Sequence, residues 1–303
     1  MSAHITRFKP RPCPEPGDGV HRWVFHAACC AIEAGLPDDE AIMEIESMMT
    51  REPNDDEIED ALAAARGERR RSSPVWPKVN AEQIEAIAQH GPRLIDLWKS
   101  SPESTAITRF NRAEQIVDCL FPGNPLLCVG YSQKTFFTMR REKLTGALRL
   151  RDFALIVPSP MTAEKGRTKT GKISEHSLAN TGQRRFLVTE FDKGTLDHQA
   201  ALLHHLSRIA PSLALVVFSG SKSLHGWFYC ENQAEDIQLR LMRYAVSLGA
   251  DCATWIRSQF VRMPDGKRQG LNHTTGALES CGIPGVPPSK QVALYFNPRV
   301  TNQ

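Results

Sequence analysis

Two six-residue apolar runs, Leu213–Phe218 and Leu224–Tyr229, stand only five residues apart, joined by Ser-Gly-Ser-Lys-Ser. Runs this short, rich in Val, Leu, Phe and Trp, read as strands, and so brief a link leaves room for a turn and no helix. The chain is therefore committed to a sheet here. Similar runs recur from Leu126 onward: LLCVG, TFFTM, ALIVP and FLVTEFD. Helical periodicity appears at 198–210, between two runs, and at 234–248, after the last of them. Mixed strands and helices predict an α/β or α+β body.

Upstream the pattern is helical only. A first helix runs through Trp23, Ala27, Cys30 and Ala34, with Asp18 as cap and Gly35 as stop. A second starts near Pro37 and sets Ala41, Ile42, Ile45, Met48 and Met49 on one face. A third has Asn54 as N-cap with Glu57 three residues on, a capping-box pattern, and a stripe of Ile58, Ala61, Leu62 and Ala65. The expected organisation is a three-helix module at 1–66, a polar, basic, Pro-containing linker at 67–79, and the body at 80–303. The body opens with helical stretches at 81–97 and 112–120. Residues 162–182 are rich in Lys, Thr, Gly and Ser and read as a long excursion, which in a compact domain is often functional.

Net charge is only +3, yet its distribution is uneven. Residues 33–68 carry thirteen Asp/Glu against two Arg, whereas 134–185 carry twelve Lys/Arg against four Asp/Glu. A basic body points to a polyanionic partner, and a solvated loop face is the alternative. The eight cysteines form no CxxC pair, the apolar runs are far too short to span a membrane, and the N-terminus has no apolar leader core. These features predict a cytoplasmic chain with no membrane partner.

Three strings carry chemistry. In FLVTEFDKG, Glu190 and Asp192 are one residue apart on a strand and share a face. Adjacent carboxylates repel unless neutralised, and a hard divalent cation does so with oxygen ligands; a strand end entering a solvated turn is the alternative. In SGSKSLHGWF, a small-residue turn offers N–H groups, hydroxyls and a cation to phosphate oxygens through Ser221, Lys222 and Ser223. Ser223 and His225 have the same parity and face one pocket. The alternative is a tight hairpin with a chance lysine. In the third string, Asp251 follows a helix end and either completes a carboxylate triad or caps structure, and Arg262 beside a Pro-Asp-Gly turn is a phosphate donor.

The order of these pieces resembles the catalytic core of the archaeo-eukaryotic primase superfamily, the primase-polymerases, over roughly residues 120 to 300. The acid pair matches Glu190 and Asp192, the Ser-x-His motif matches Ser223 and His225, and the later acid matches Asp251. The Arg-Met-Pro string at Arg262 is similar to a basic motif of plasmid and phage members. Glu190 stands where most members carry Asp, and 269–290 match nothing in the family. The N-terminal helices resemble a module often found after such cores, through Gly19, Arg22, Gly35 and the 54–65 helix, although here they precede it.

The resemblance implies an α/β (α+β) primase-polymerase core with a mixed or antiparallel sheet and an RRM-like part. It implies a DNA primase or DNA-directed polymerase, a nucleotidyltransferase of DNA replication that uses NTPs or dNTPs on single-stranded DNA. Two Mg²⁺ or Mn²⁺ ions would sit on Glu190, Asp192 and Asp251. Ser221, Lys222, Ser223, His225 and Arg262 would hold the nucleotide, and a separate helicase would unwind the duplex. Phe136, Phe137 and Trp227 are candidates for base stacking, or else core residues of strands. The competing functions are a non-catalytic single-strand-binding or replication-initiation module of the same fold, and a metal-dependent nuclease.

Overall fold

The computed structural model describes residues 8–15, 19–53, 57–66, 74–103, 112–168, 171–267 and 290–301. The expected caps Asp18 and Asn54, linker residues 67–73 and most of the unmatched stretch at 269–290 lie outside them. The chain divides into two compact units, Met1–Val75 with Lys169–Lys172, and Trp76–Thr168 with Ile173–Gln303. The boundary falls inside the expected linker: Trp76 already packs edge-on against Trp255, ring centroids 6.3 Å apart. Among the described residues no helix is long and apolar enough to cross a membrane.

The first unit holds α1 (Val20–Ala34), α2 (Asp38–Ser47) and α3 (Glu57–Ala65). Helix α1 stops at Gly35, whose φ of 71° suits glycine, and the Leu36 N–H reaches back to the Ala31 carbonyl. Val24, Ala27, Ala31, Ile45, Ile58 and Leu62 form its core. The face expected of α2 is only partly buried: Ala41 and Ile45 are inside, while Met48 is 37% exposed. Glu57 pairs with Arg51 at 2.7 Å, so its carboxylate serves an ion pair bridging into the preceding loop.

The second unit begins with α4 (Ala81–His90) and α5 (Leu94–Lys99), two helices where the pattern suggested one. Pro92 forces Gly91 out of helical geometry, and the Asp96 carboxylate then caps the Arg93 N–H at 3.0 Å. After α6 (Ala113–Leu120) comes the first sheet, with β1 (Leu126–Gly130), β2 (Phe136–Arg140), β3 (Leu155–Ile156) and β9 (Val261–Arg262) in the order β2-β1-β3-β9. Helix α7 (Arg141–Ala147) follows β2, and a small ribbon, β4 (Gly166–Arg167) with β5 (Ile173–Ser174), forms within the excursion.

The second sheet contains β6 (Phe186–Phe191), β7 (Leu213–Phe218), β8 (Leu224–Tyr229) and β10 (Val292–Phe296), ordered β10-β7-β8-β6, with every pairing antiparallel. Helix α8 (Leu196–Ile209) links β6 to β7, and β8 is inserted between those two strands, a split β-α-β arrangement. Helix α9 (Glu235–Ser247) follows β8. This sheet is the nearest counterpart to the expected RRM-like part, and its order departs from that layout: β10 adds beside β7, at the edge away from β6.

Two cores hold the unit together. Leu127, Val129 and Ile156 of the first sheet meet Phe186, Val188, Val217 and Trp227 of the second, with Ile116 and Leu120 of α6. The opposite face of the second sheet packs Val216, Phe218, Leu224 and Phe228 on Leu203 and Leu206 of α8. Each such side chain contributes about 1.5–3 kcal/mol when fully buried. Trp227 is 0% exposed, so the base-stacking role is closed to it and the core role stands. Phe136 packs on the outer face of the first sheet beside His176, and Phe137 packs on Phe153.

Candidate active site

Strand parity and register build the site. Glu190 of β6 and His225 of β8 are direct cross-strand partners, on the face that carries Phe186, Val188 and Trp227. Their side chains meet, with His225 Nε2 3.4 Å from Glu190 Oε1. The Ser223 hydroxyl lies 3.3 Å from the same Nε2, and its influence reaches the Glu190 carboxylate. Ser219, buried at the end of β7, closes the turn: its hydroxyl accepts from the Ser223 N–H at 3.1 Å, and its own N–H donates to the Ser223 carbonyl. Ser221 is half-buried at the turn's tip and Lys222 is exposed.

Electrostatics set the protonation states. Burial raises the Glu190 carboxyl above the usual carboxylate range, with Asp251 and Asp192 adding to the rise while Arg262 and the Ser223 hydroxyl oppose it. His225 is pushed down to about 3 by complete burial and by the Arg262 charge. The imidazole is therefore neutral, and its 3.4 Å contact with Glu190 is not an ion pair. Nδ1 of His225 is buried with no partner among the described residues.

Asp192 continues past β6 and pairs with Lys222, Nζ to Oδ2 3.0 Å. Asp251 donates its backbone N–H to the Glu190 carbonyl at 2.9 Å along the free edge of β6, and its carboxylate caps the Ala253 N–H at 2.9 Å. It is thus both a cap and a neighbour of Glu190. Arg262 belongs to β9 of the first sheet, opposite Leu155. The turn after it is anchored by Asp265, whose buried carboxylate accepts from the Ala293 N–H at 2.9 Å and from the Arg112 N–H at 3.4 Å. At Gly266 a Cβ would collide with the Phe153 carbonyl and crowd Gln291. Gly266→Ala is expected to cost about 1–3 kcal/mol of stability, read by urea unfolding.

The eight candidate residues thus lie around one end of the second sheet, with Arg262 supplied by the first. The donor set fits a hard divalent cation in charge and atom type, since the half-buried Glu190 has the Asp251 and Asp192 carboxylates acting on it. Among the described residues, however, no group of three His, Cys, Asp or Glu side chains converges on one point. Asp192 is held by Lys222 and Asp251 by its cap. A cavity of about 710 Å³ around Tyr229, Ile237 and Tyr244 lies at the other end of β8 and contains none of these residues.

Sequence reasoning missed Ser219 and Gln199. A polar residue on the apolar stripe of α8, at helical spacing from Leu203 and Leu206, was the available signal for Gln199. Two of the twelve basic residues expected on a polyanion face are internal. Arg184 stacks over Trp255 at 4.0 Å and donates to Gln238, and Arg185 donates to the Leu120 carbonyl and pairs with Glu231. No protein-family model, curated protein or solved structure matches this chain, so the arrangement rests on its own residues.

Proposed function

We propose that the chain is a primase-polymerase, catalysing metal-dependent templated nucleotidyl transfer from NTPs or dNTPs on single-stranded DNA, with unwinding left to a separate helicase. The observation that carries this reading is the cross-strand pairing of Glu190 with His225, with the Ser223 hydroxyl 3.3 Å from the imidazole and the Arg262 charge beside them. Carboxylates for a cation and neutral and cationic donors for phosphates stand side by side.

Glu190, Asp192 and Asp251 would hold the divalent ions. What those ions supply when bound is activation of the attacking 3′-hydroxyl and neutralisation of the leaving pyrophosphate. Ser223 and His225 are prearranged donors to phosphate oxygens, and burial keeps the imidazole neutral, so it donates without bringing a charge. Arg262 brings a fixed positive charge to the same place. Lys222 is 70% exposed and free to swing from Asp192 to a phosphate. Lys134, Arg140 and Lys165 are exposed in the basic stretch and suit a template backbone. Replacing Lys134 and Lys165 with alanine is expected to weaken single-strand binding for every sequence alike. The salt slope should fall by about 0.7 per lost phosphate contact, measured by fluorescence anisotropy over a salt series.

The decisive experiment is primer synthesis on single-stranded DNA with labelled NTPs and dNTPs, with Mg²⁺ or Mn²⁺. Products from the wild type that vanish in Asp192→Ala/Asp251→Ala support the reading. Products that persist in the double variant overturn it. A second reading, a single-strand-binding or replication-initiation module without catalysis, is favoured by the engagement of Asp192 with Lys222 and of Asp251 with its cap. It requires tight binding with no incorporation under any metal.

A further inference from the structure

We propose that Gln199 is a positioning residue that locks the turn after β6 to the turn before β8, and so sets the spacing between the acid pair and the phosphate donors. For its activity readout the inference rests on the nucleotidyl-transfer reading.

Gln199 lies in the first turn of α8 and is 0% exposed. Its backbone N–H bonds the Thr195 carbonyl, and Ala200, Leu203 and Leu206 anchor the helix on the second sheet. The carboxamide spans both turns. Nε2 donates to the Lys222 carbonyl at 2.9 Å and to the Lys193 carbonyl at 3.3 Å, with the Gly194 carbonyl at 3.5 Å. Oε1 accepts from the Leu224 N–H at 2.9 Å. One side chain thus holds the residues just after Asp192 and the residues on both sides of Ser223.

The chemistry demands glutamine. Carbonyls gather on one side and an N–H on the other, so the amide orientation is set by its partners. A carboxylate accepts the N–H but cannot donate to the carbonyls. A methionine fills the volume and does neither. Leaving the buried Leu224 N–H and the partly buried carbonyls unpaired is costly, so an apolar residue on this apolar helix face would not substitute silently.

A second link joins the same turns, the Lys222–Asp192 pair, but it lies at the surface. In the proposed mechanism Lys222 leaves Asp192 for a phosphate. The Gln199 link is buried and persists through that exchange, holding Ser223 and His225 against Glu190.

The test compares Gln199→Met with Gln238→Met in the full chain. Gln238 is also buried, bonded to Arg184 and to the Cys230 and Gln233 carbonyls, and lies away from the site. The readouts are thermal midpoint, Kd for ATP and dATP with Mg²⁺, kcat and KM for incorporation, and hydrogen exchange at the Leu224 N–H. Gln199→Met should raise nucleotide KM and Kd about tenfold or more and speed Leu224 exchange. Gln238→Met should lower the midpoint and leave KM unchanged. If Gln199→Met lowers the midpoint but keeps wild-type KM and Kd, its role is structural and the proposal fails. Gln199→Glu, which keeps the bond to Leu224 and loses the donors, is the second variant should methionine fail to fold. Fast exchange at Leu224 in the wild type also overturns the proposal. A wild type that neither binds triphosphate nor incorporates it overturns the nucleotidyl-transfer reading itself, whereas an active wild type with an unaffected Gln199→Met overturns only this inference.

Discussion

Asp192→Ala should lower metal-dependent nucleotide incorporation by about 10³-fold or more while leaving the protein folded. A metal ligand at the reacting phosphate contributes several kcal/mol of transition-state stabilisation, and each 1.36 kcal/mol is about tenfold in rate. The stability side is small. Asp192 and its partner Lys222 are 39% and 70% exposed, and an exposed pair of this kind is worth about 0–1 kcal/mol. The two effects separate in a single variant, by primer-extension rate and by thermal melting. Asp192→Asn, which keeps shape and removes charge, should fail in the same way. A fall in rate that merely follows a fall in melting temperature would defeat the assignment, as would undiminished incorporation.

The second large effect is acid sensitivity centred on His225. Its folded pKa is depressed to about 3 by burial and by Arg262, against 6.5 for a free imidazole. Between those values the unfolded chain binds a proton that the native chain refuses. Stability from this residue is therefore complete above about pH 6.5 and is lost as pH falls toward 3, at up to about 1.4 kcal/mol per pH unit. Burial also depresses His176, which adds in the same direction. Glu190 acts oppositely: its raised pKa makes the native state bind the extra proton above 4.5, so its contribution weakens as pH rises through the folded value. The clean readout is the difference between wild type and His225→Phe in urea unfolding from pH 4 to 7. The variant should lose one proton's worth of slope. Parallel curves would show that the imidazole is accessible and charged.

Much of the site was legible because parity along a strand belongs to the backbone. The two-residue spacing of Ser223 and His225 at the start of β8 brings both side chains together, whereas Asp192 lies past the end of β6, where strand parity no longer applies. That Glu190 faces His225 across the β6–β8 ladder was not legible, since register is fixed by residues more than thirty positions apart. Arg262 sits on a two-residue strand, too short to announce itself by pattern. Arg184 and Arg185 read as surface charge because composition counts guanidinium groups without seeing their partners. Here a tryptophan ring, a glutamine and a backbone carbonyl draw both inside. The helix expected at 81–97 missed the Pro92 break, although the signal was in the chain.

Local order in this protein came from interactions between near neighbours. The strands, the helix stop at Gly35 and the small-residue turn before β8 depend on side-chain periodicity and backbone preference over a few residues, and those act wherever the chain goes. Strand order, the placement of β10 beside β7, the neutral imidazole of His225 and the clamp made by Gln199 depend on burial against partners distant in the chain. Desolvation and hydrogen-bond satisfaction have no value until the fold closes around the group, so these properties emerge only once the sheets and α8 have packed.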